Sequence, residues 1–343
     1  MTEINNKTKI AVIGGGAAGM MAAGTATEYG AEVTVYEHTD RLGKKLAITG
    51  KGRCNVTNMC DVNEFLENVP KNPRFLYTAL NAFSPKKTYS FFEDLGVDLV
   101  VERGNRVFPE NGKAKTIVDA MRKHCRNAKI VYDDVTNIIK DGSTFSVVSK
   151  GGRKELFNAV IIATGGKSYP LTGSDGSGYN LAIKLGHTVT ELKPSLVPIE
   201  SPSSFCCEMM GLSLKNVAIK ILDQKGRSLY EDFGEMMFTH FGVTGPIILS
   251  ASSHLGNVDI SSLTLSIDLK PALDLETLDK RLLSDFKANL NKDFKNSLSA
   301  LLPSKMIEPF IKYTKVSPFK KVNSITKEER ATILNAFKDF RIQ

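Results

Sequence analysis

The chain has 343 residues, 42% hydrophobic and 24% charged, with 45 Lys and Arg against 37 Asp and Glu for a net charge of +8. This is ordinary soluble globular composition, with length for a large core and two or three domains. The opening MTEINNKTKI has no apolar h-region, no apolar run is long enough to cross a bilayer, and the five cysteines (54, 60, 125, 206 and 207) form no CxxC pair. No signal peptide, no membrane, no zinc or other metal, and reduced thiols in a cytoplasmic setting are therefore expected.

The first element signals fall in residues 9–37, KIAVIGGGAAGMMAAGTATEYGAEVTVYE. Lys9 to Ile13 is an apolar, β-branched run that reads as a buried strand. Gly14, Gly16 and Gly19 fit G-x-G-x-x-G. Gly14 permits a tight turn, Gly16 lets backbone approach a pyrophosphate, and Gly19 lets a helix pack close to the strand. Residues 17–29 read as a helix stopped by Gly30, with free N–H groups and a positive dipole end facing phosphate. Gly15, Ala17 and Ala18 share the loop and lend N–H groups. Glu32 to Tyr36 reads as a second strand. Glu37 follows, 18 residues past Gly19, where an acid accepts hydrogen bonds from a ribose 2′-hydroxyl and repels a 2′-phosphate. The glycines alone are a weak signal, compatible with a structural turn. Strand, glycines, helix, strand and acid in order are a strong one.

A long glycine-containing loop follows, HTDRLGKKLAITGKGRCNVTN. Its His38, Arg41, Lys44, Lys45 and Gly50 are candidates to face a dinucleotide, with one of the adjacent Lys44 and Lys45 turned toward it. Ser84-Pro85 caps a helix running to Gly96, and Ala114 to Arg126 reads as another. Strands are expected at Lys129–Tyr132, Thr136–Ile139, Thr144–Val148 and Leu156–Ala163, with KDGS turning a hairpin between the middle pair. The last strand ends in IIATGGKSYP, and a helix opens near Ser177 and runs to Gly186. From about Thr188 the texture changes. VAIKILDQKGRSLYEDFGEMMFTHFG alternates around a Lys-Gly turn and reads as antiparallel strands, with another strand at Leu263–Leu269. From Asp274 onward the pattern is helical. Lys270 to Gln343 holds 15 Lys and Arg against 9 Asp and Glu, which is six of the eight net positive charges. A basic face steers a polyanion such as RNA; a solvated helical surface is the alternative, and no RNA-binding module signature accompanies the charge.

Four features favour FAD over NAD. The fingerprint lies at the extreme N-terminus. Arg41, Lys44 and Lys45 follow it. NAVIIATGG reads as the strand that returns beside the first βαβ unit in FAD-type Rossmann proteins, its turn at Ala163, Thr164, Gly165 and Gly166 passing close to the dinucleotide. Residues 129–149 supply the β-hairpin such folds insert before that strand, with Val135 as the expected backbone contact to adenine. Gly173, Gly176 and Gly178 have the wrong spacing for a second fingerprint, so a separate NAD(P)H domain is not expected. An NAD-dependent dehydrogenase is the alternative, and a truncated, non-catalytic or RNA-associated binding protein a third.

GGGAAGMMAA, GKKLAITGKGRCNVTN, ATGGKSYPLTGSDGSGYNLAIKLGH, KPSLVPI and FTHFGVTGP together resemble the bile-acid-reductase-like or aminoacetone-oxidase-like family of FAD-binding oxidoreductases. The resemblance covers essentially the whole chain; GRCNVTN is its distinctive run. It implies an α/β fold: an FAD-binding Rossmann-like domain (1–188) with an inserted antiparallel, barrel-like β domain (189–272) and a small helical domain (273–343), the β domain resuming near the C-terminus. It implies an FAD-dependent oxidoreductase that reduces a conjugated carbon–carbon double bond, in an enone-like small molecule or an RNA uridine, with NAD(P)H as a candidate electron donor. It brings Arg53, Cys54 and Asn55 to the flavin, Asn55 bonding the ring edge and Arg53 stabilising negative charge on the reduced ring. Catalytic candidates carry alternatives. Cys54 is a redox thiol or a small packing residue with no resolving partner. Tyr169 is a proton donor or packs beside Pro170. His240 is an acid near substrate or a core histidine bonded to backbone. Family members carry a further G-E-x-L-D-type strand and glycine-rich turn against the flavin. This sequence closes on FKDFRIQ without them, so FAD binding that is weak or absent is the expectation.

Overall fold

The computed structural model describes residues 7–256 and 258–343. They form two compact units that divide between Glu191 and Leu192. The MTEINN part of the opening segment lies outside the described residues.

In the first unit, β1 (Lys9–Ile13), α1 (Ala17–Glu28) and β2 (Glu32–Glu37) appear where the sequence put them. The short strands β3 (Thr57–Asn58), β4 (Leu99–Glu102) and β5 (Arg106–Pro109) make a small sheet of order β3-β5-β4. Helix α2 (Pro85–Asp94) opens on Ser84, whose side chain accepts the Lys87 N–H, and α3 (Ala114–His124) follows β5. Then come β6 (Lys129–Tyr132), β7 (Val135–Asp141), β8 (Thr144–Ser149), β9 (Lys154–Phe157), β10 (Ala159–Ile162) and α4 (Ser177–Lys184). The main sheet is parallel with order β10-β1-β2-β6, Ile10 facing Ala159 and Val33, and Thr34 facing Lys129. β1 is central, and Ala11 and Val12 are fully buried. That explains why its apolar run does not alternate. Helices α1 and α3 cover one face through Met20, Ala23, Ile117, Ala120 and Met121.

One sequence expectation needs correction. Leu156–Ala163 is not a single strand. β9 pairs with β8 in the antiparallel sheet β7-β8-β9, and β10 joins the parallel sheet beside β1. Asn158 makes the switch. Its N–H donates to the Lys9 carbonyl at 2.8 Å, and its Oδ1 accepts the Lys9 N–H at 2.8 Å.

The second unit contains β11 (Ile199–Glu200), β12 (Ser213–Leu222), β13 (Ser228–Phe238), β14 (Gly242–Thr244), α5 (Pro246–Leu255), β15 (Thr264–Asp268), α6 (Leu275–Lys287), α7 (Ser304–Thr314), α8 (Lys327–Lys338) and β16 (Phe340–Ile342). Its sheet is antiparallel, in the order β11-β14-β13-β12-β15-β16. The Lys-Gly turn between β12 and β13 is fixed by Asp223, whose Oδ1 accepts the N–H groups of Lys225 (2.8 Å) and Arg227 (2.9 Å). Sheet and helices share one core, in which Phe238, Phe310, Phe337 and Phe340 are fully buried. Each such side chain contributes about 1.5–3 kcal/mol of burial energy. Among the described residues no helix is long and apolar enough to cross a membrane, and no cluster of His, Cys, Asp and Glu is arranged to hold a metal ion.

Candidate functional site

A cleft of about 530 Å³ opens at the carboxyl ends of β1, β2, β6 and β10. That is where open α/β sheets bind ligands, and the volume falls within the roughly 300–1,000 Å³ of small-molecule sites.

The floor is backbone. β1 is followed by Gly14, whose φ of +106° suits glycine, and a Cβ there would lie 2.5 Å from the Ala163 carbonyl oxygen. A methyl at Gly19 would overlap the Gly14 carbonyl, so Gly19 lies under the loop and not on the cleft wall. Gly16 differs: a Cβ there meets nothing within 4 Å. Gly16 is also the N-cap of α1 and has no side-chain cap, and no acidic residue stands in the first turn. The helix therefore presents unclaimed N–H groups and a positive dipole end along Gly16, Ala17 and Ala18, all of which line the cleft.

Glu37 ends β2 and is buried, with 8% of its surface exposed. Its Oε2 accepts the Gly15 N–H at 2.8 Å and its Oε1 accepts the Thr39 N–H at 2.7 Å. His38 follows, its Nδ1 lying 3.7 Å from Asp134 Oδ1. Lys44 and Lys45 both line the cleft, whereas the sequence reading turned one of them toward it. Lys44 is paired with Asp40 at 3.0 Å. Val135, Ala163, Thr164 and Gly165 complete the expected set within the cleft.

Other expected residues are not brought to it. Gly50, Arg53, Cys54, Asn55 and Gly166 do not line the cleft, although Thr49, at the head of their loop, does. The loop is wound tightly, with Gly50, Lys51, Gly52 and Cys54 all at positive φ. Arg53 makes a two-pronged ion pair with Glu102 (2.5 and 3.3 Å), and its guanidinium lies 4.3 Å from the Phe108 ring centroid. The Asn55 amide nitrogen, oriented by its surroundings, faces the carbonyls of Thr57 (3.0 Å) and Val107 (3.2 Å). Cys54 is buried, and burial pushes its thiol up, with a hydrogen bond from Thr49 opposing. This is the environment of a packing residue rather than of a reactive thiolate. Tyr169 is exposed, at a φ of +55°, on the loop that carries Thr172 to the cleft. His240 is exposed beyond the end of β13, its ring edge-on to Phe241 at 4.9 Å. The core-histidine reading is therefore not what the fold shows.

The opposite wall was missed: Thr172, Gly173, Ser174, Ser177 and Leu181, with Asp133 and Asp134 beside β6. A Cβ at Gly173 would lie 2.9 Å from His38 Nε2, and one at Gly165 would lie 2.6 Å from Ser174 Oγ. GSDGSG ahead of a helix was the available signal, since glycines before a helix N-terminus allow close backbone approach.

Fold and cleft define a Rossmann-type nucleotide-binding protein. Comparison with known families then places the chain. It belongs to the HI0933-like family, matching the HI0933-like protein Rossmann domain over residues 8–257 and the HI0933-like protein barrel and H2TH domain over residues 193–343. It is similar to a 3-dehydro-bile acid delta(4,6)-reductase of Clostridium scindens, 29% identical over 87% of this chain and 73% of that protein. It is also similar to a ribosomal RNA dihydrouridine synthase of Escherichia coli, 27% identical over 97% of this chain and 80% of that protein. Among solved structures, the open conformation of a flavocytochrome c3 fumarate reductase aligns over 91% of this chain and 62% of that one, at 15% identity and a TM-score of 0.46.

Proposed function

We propose that the protein is an FAD-dependent oxidoreductase that reduces a conjugated carbon–carbon double bond, in an enone-like small molecule or an RNA uridine. The observation that carries the reading is the pairing of the uncapped N-terminus of α1 with the buried Glu37 carboxylate on one cleft. The open space over Gly16 accepts a phosphate where a side chain would block it. The names of the two relatives, one a reductase and one a dihydrouridine synthase, both describe addition of hydrogen across a double bond. When bound, the flavin supplies hydride transfer. The protein's own part is to hold the pyrophosphate on the N–H groups of Gly16, Ala17 and Ala18, to hold the ribose at Glu37, and to place Lys44 and Lys45 beside the negative charge. Of the catalytic candidates, Tyr169 fits a proton donor best, since it is solvent-reachable on a cleft-wall loop, whereas Cys54 is buried. NAD(P)H is the expected electron donor.

The test is a titration of the purified chain with FAD and with NADH, with mass spectrometry of any cofactor released on denaturation. Weak uptake of FAD, saturating only at high FAD and with flavin absorbance that bleaches on adding NAD(P)H, is the expected result. A colourless protein that takes up NADH and no FAD overturns the reading and favours a nicotinamide dehydrogenase.

A further inference from the structure

The second unit carries a surface that the cleft chemistry does not use. From Phe286 through Lys327 there are nine lysines and two acids, Asp293 and Glu308. The fold gathers much of this charge at one end of the helices. Residues 290–295 and 318–323 run side by side: Phe294 N–H donates to the Lys320 carbonyl (2.9 Å), Lys295 N–H to Pro318 (3.1 Å) and Val322 N–H to Lys292 (3.1 Å). Two lysines there are neutralised, Lys320 by Glu329 and Lys321 by Asp293. Lys287, Lys292, Lys295 and Lys315 have no carboxylate partner among the described residues, and all four are exposed. On the same paired segments stands Phe319, 68% exposed, with the Lys295 ammonium 4.5 Å from its ring centroid.

An exposed phenylalanine is costly in water, and here one of its faces is taken by a cation while the ring remains largely open. A base stacks on such a ring, and lysines spaced around it meet the phosphates on either side. An acidic peptide would use the lysines and leave the ring without a flat partner. A bilayer would ask for several apolar side chains inserted together, and beside Phe319 only Leu290 is comparably exposed, at 50%. We infer that Phe319, with Lys292, Lys295, Lys287 and Lys315, forms a docking surface for single-stranded RNA. The inference rests on the double-bond-reductase reading only in that it selects RNA over a small molecule as the substrate class; the binding itself does not require a flavin.

The experiment measures fluorescence anisotropy of a labelled 12-nucleotide single-stranded RNA with the full 343-residue chain, across a salt series and without added FAD. Four phosphate contacts give a slope of log affinity against log salt of roughly −3. Phe319→Ala weakens binding roughly five- to hundredfold while Phe319→Tyr retains it. Lys292→Glu with Lys295→Glu weakens binding further and flattens the salt slope. Thermal melting and FAD uptake of these surface variants match wild type. An unchanged affinity for Phe319→Ala overturns the stacking surface, as does displacement of the labelled RNA by polyglutamate of equal charge as readily as by unlabelled RNA. RNA binding by a chain that takes up no flavin sustains this inference and sinks the reductase reading instead.

Discussion

Replacing Glu37 separates its two tasks. Its carboxylate accepts the N–H groups of Gly15 and Thr39 and also lines the cleft, so it organises the loop as well as facing the ligand space. Glu37→Ala removes both acceptors. Charge-assisted hydrogen bonds are worth about 1.5–3 kcal/mol each, and water entering from the cleft replaces part of that, so the low end for two gives about 3 kcal/mol. For a unit of this size the corresponding fall in melting temperature is roughly 6–12 °C. Glu37→Gln keeps one acceptor oxygen and turns an amide N–H₂ toward the other donor, so it falls between Ala and wild type. Affinity for FAD drops in the same order, roughly ten- to a hundredfold for Ala. Melting curves without FAD and a flavin fluorescence titration measure the two effects. If Glu37→Ala melts with wild type and binds FAD equally well, the carboxylate holds neither the loop nor a ribose.

Three further outcomes are expected. Gly16→Ala leaves stability within about 1 kcal/mol of wild type, because its φ of −76° suits alanine and its Cβ meets nothing, yet it weakens FAD binding at least about tenfold. Gly19→Ala does the reverse, costing about 3 kcal/mol or more because its methyl overlaps the Gly14 carbonyl; a stable, FAD-binding Gly19→Ala chain contradicts the packing. Burial raises the thiols of Cys54, Cys125 and Cys206 above their ordinary value of 9.0, so the folded chain keeps protons that the unfolded chain releases. Stability is then full below that value and declines as pH rises above it, and a thiol reagent at pH 8 modifies these cysteines only on denaturation, which timed labelling with mass spectrometry would detect.

The opening βαβ unit was legible because every signal in it is local. Buried strands show as unbroken apolar runs, the turn shows as glycine, and the acid falls at a fixed distance along one chain segment. What was lost was non-local or aperiodic. The run 156–163 is apolar on both sides of Asn158, and a single polar residue has no period to announce that it hands the chain from an antiparallel sheet to a parallel one. The second cleft wall, Thr172 to Ser177, reaches the fingerprint only because β10 pairs with β1 across some 150 residues of sequence, and its polar loop has no period to read. The return of the β domain near the C-terminus was expected from the family resemblance alone, because Phe340–Ile342 is three residues long and gains its identity as a strand only from β15. His240 was misread because FTHFG looks like continued alternation, whereas β13 ends at Phe238 and leaves the imidazole in a turn.

The Glu37 geometry also bears on which nucleotide the cleft admits. An ionised carboxylate offers about four lone-pair sites. Two are already committed, one on each oxygen, to backbone N–H groups that lock its orientation. The two that remain are free to accept from the hydroxyls of a ribose diol. A phosphate at the 2′ position would bring negative charge to the buried Glu37 side chain, and among the described residues no arginine lines the cleft to offset it. On the proposed FAD reading, the loop would discriminate by charge as well as by hydrogen bonding. It does so with a residue that would be needed for the turn even if nothing were bound.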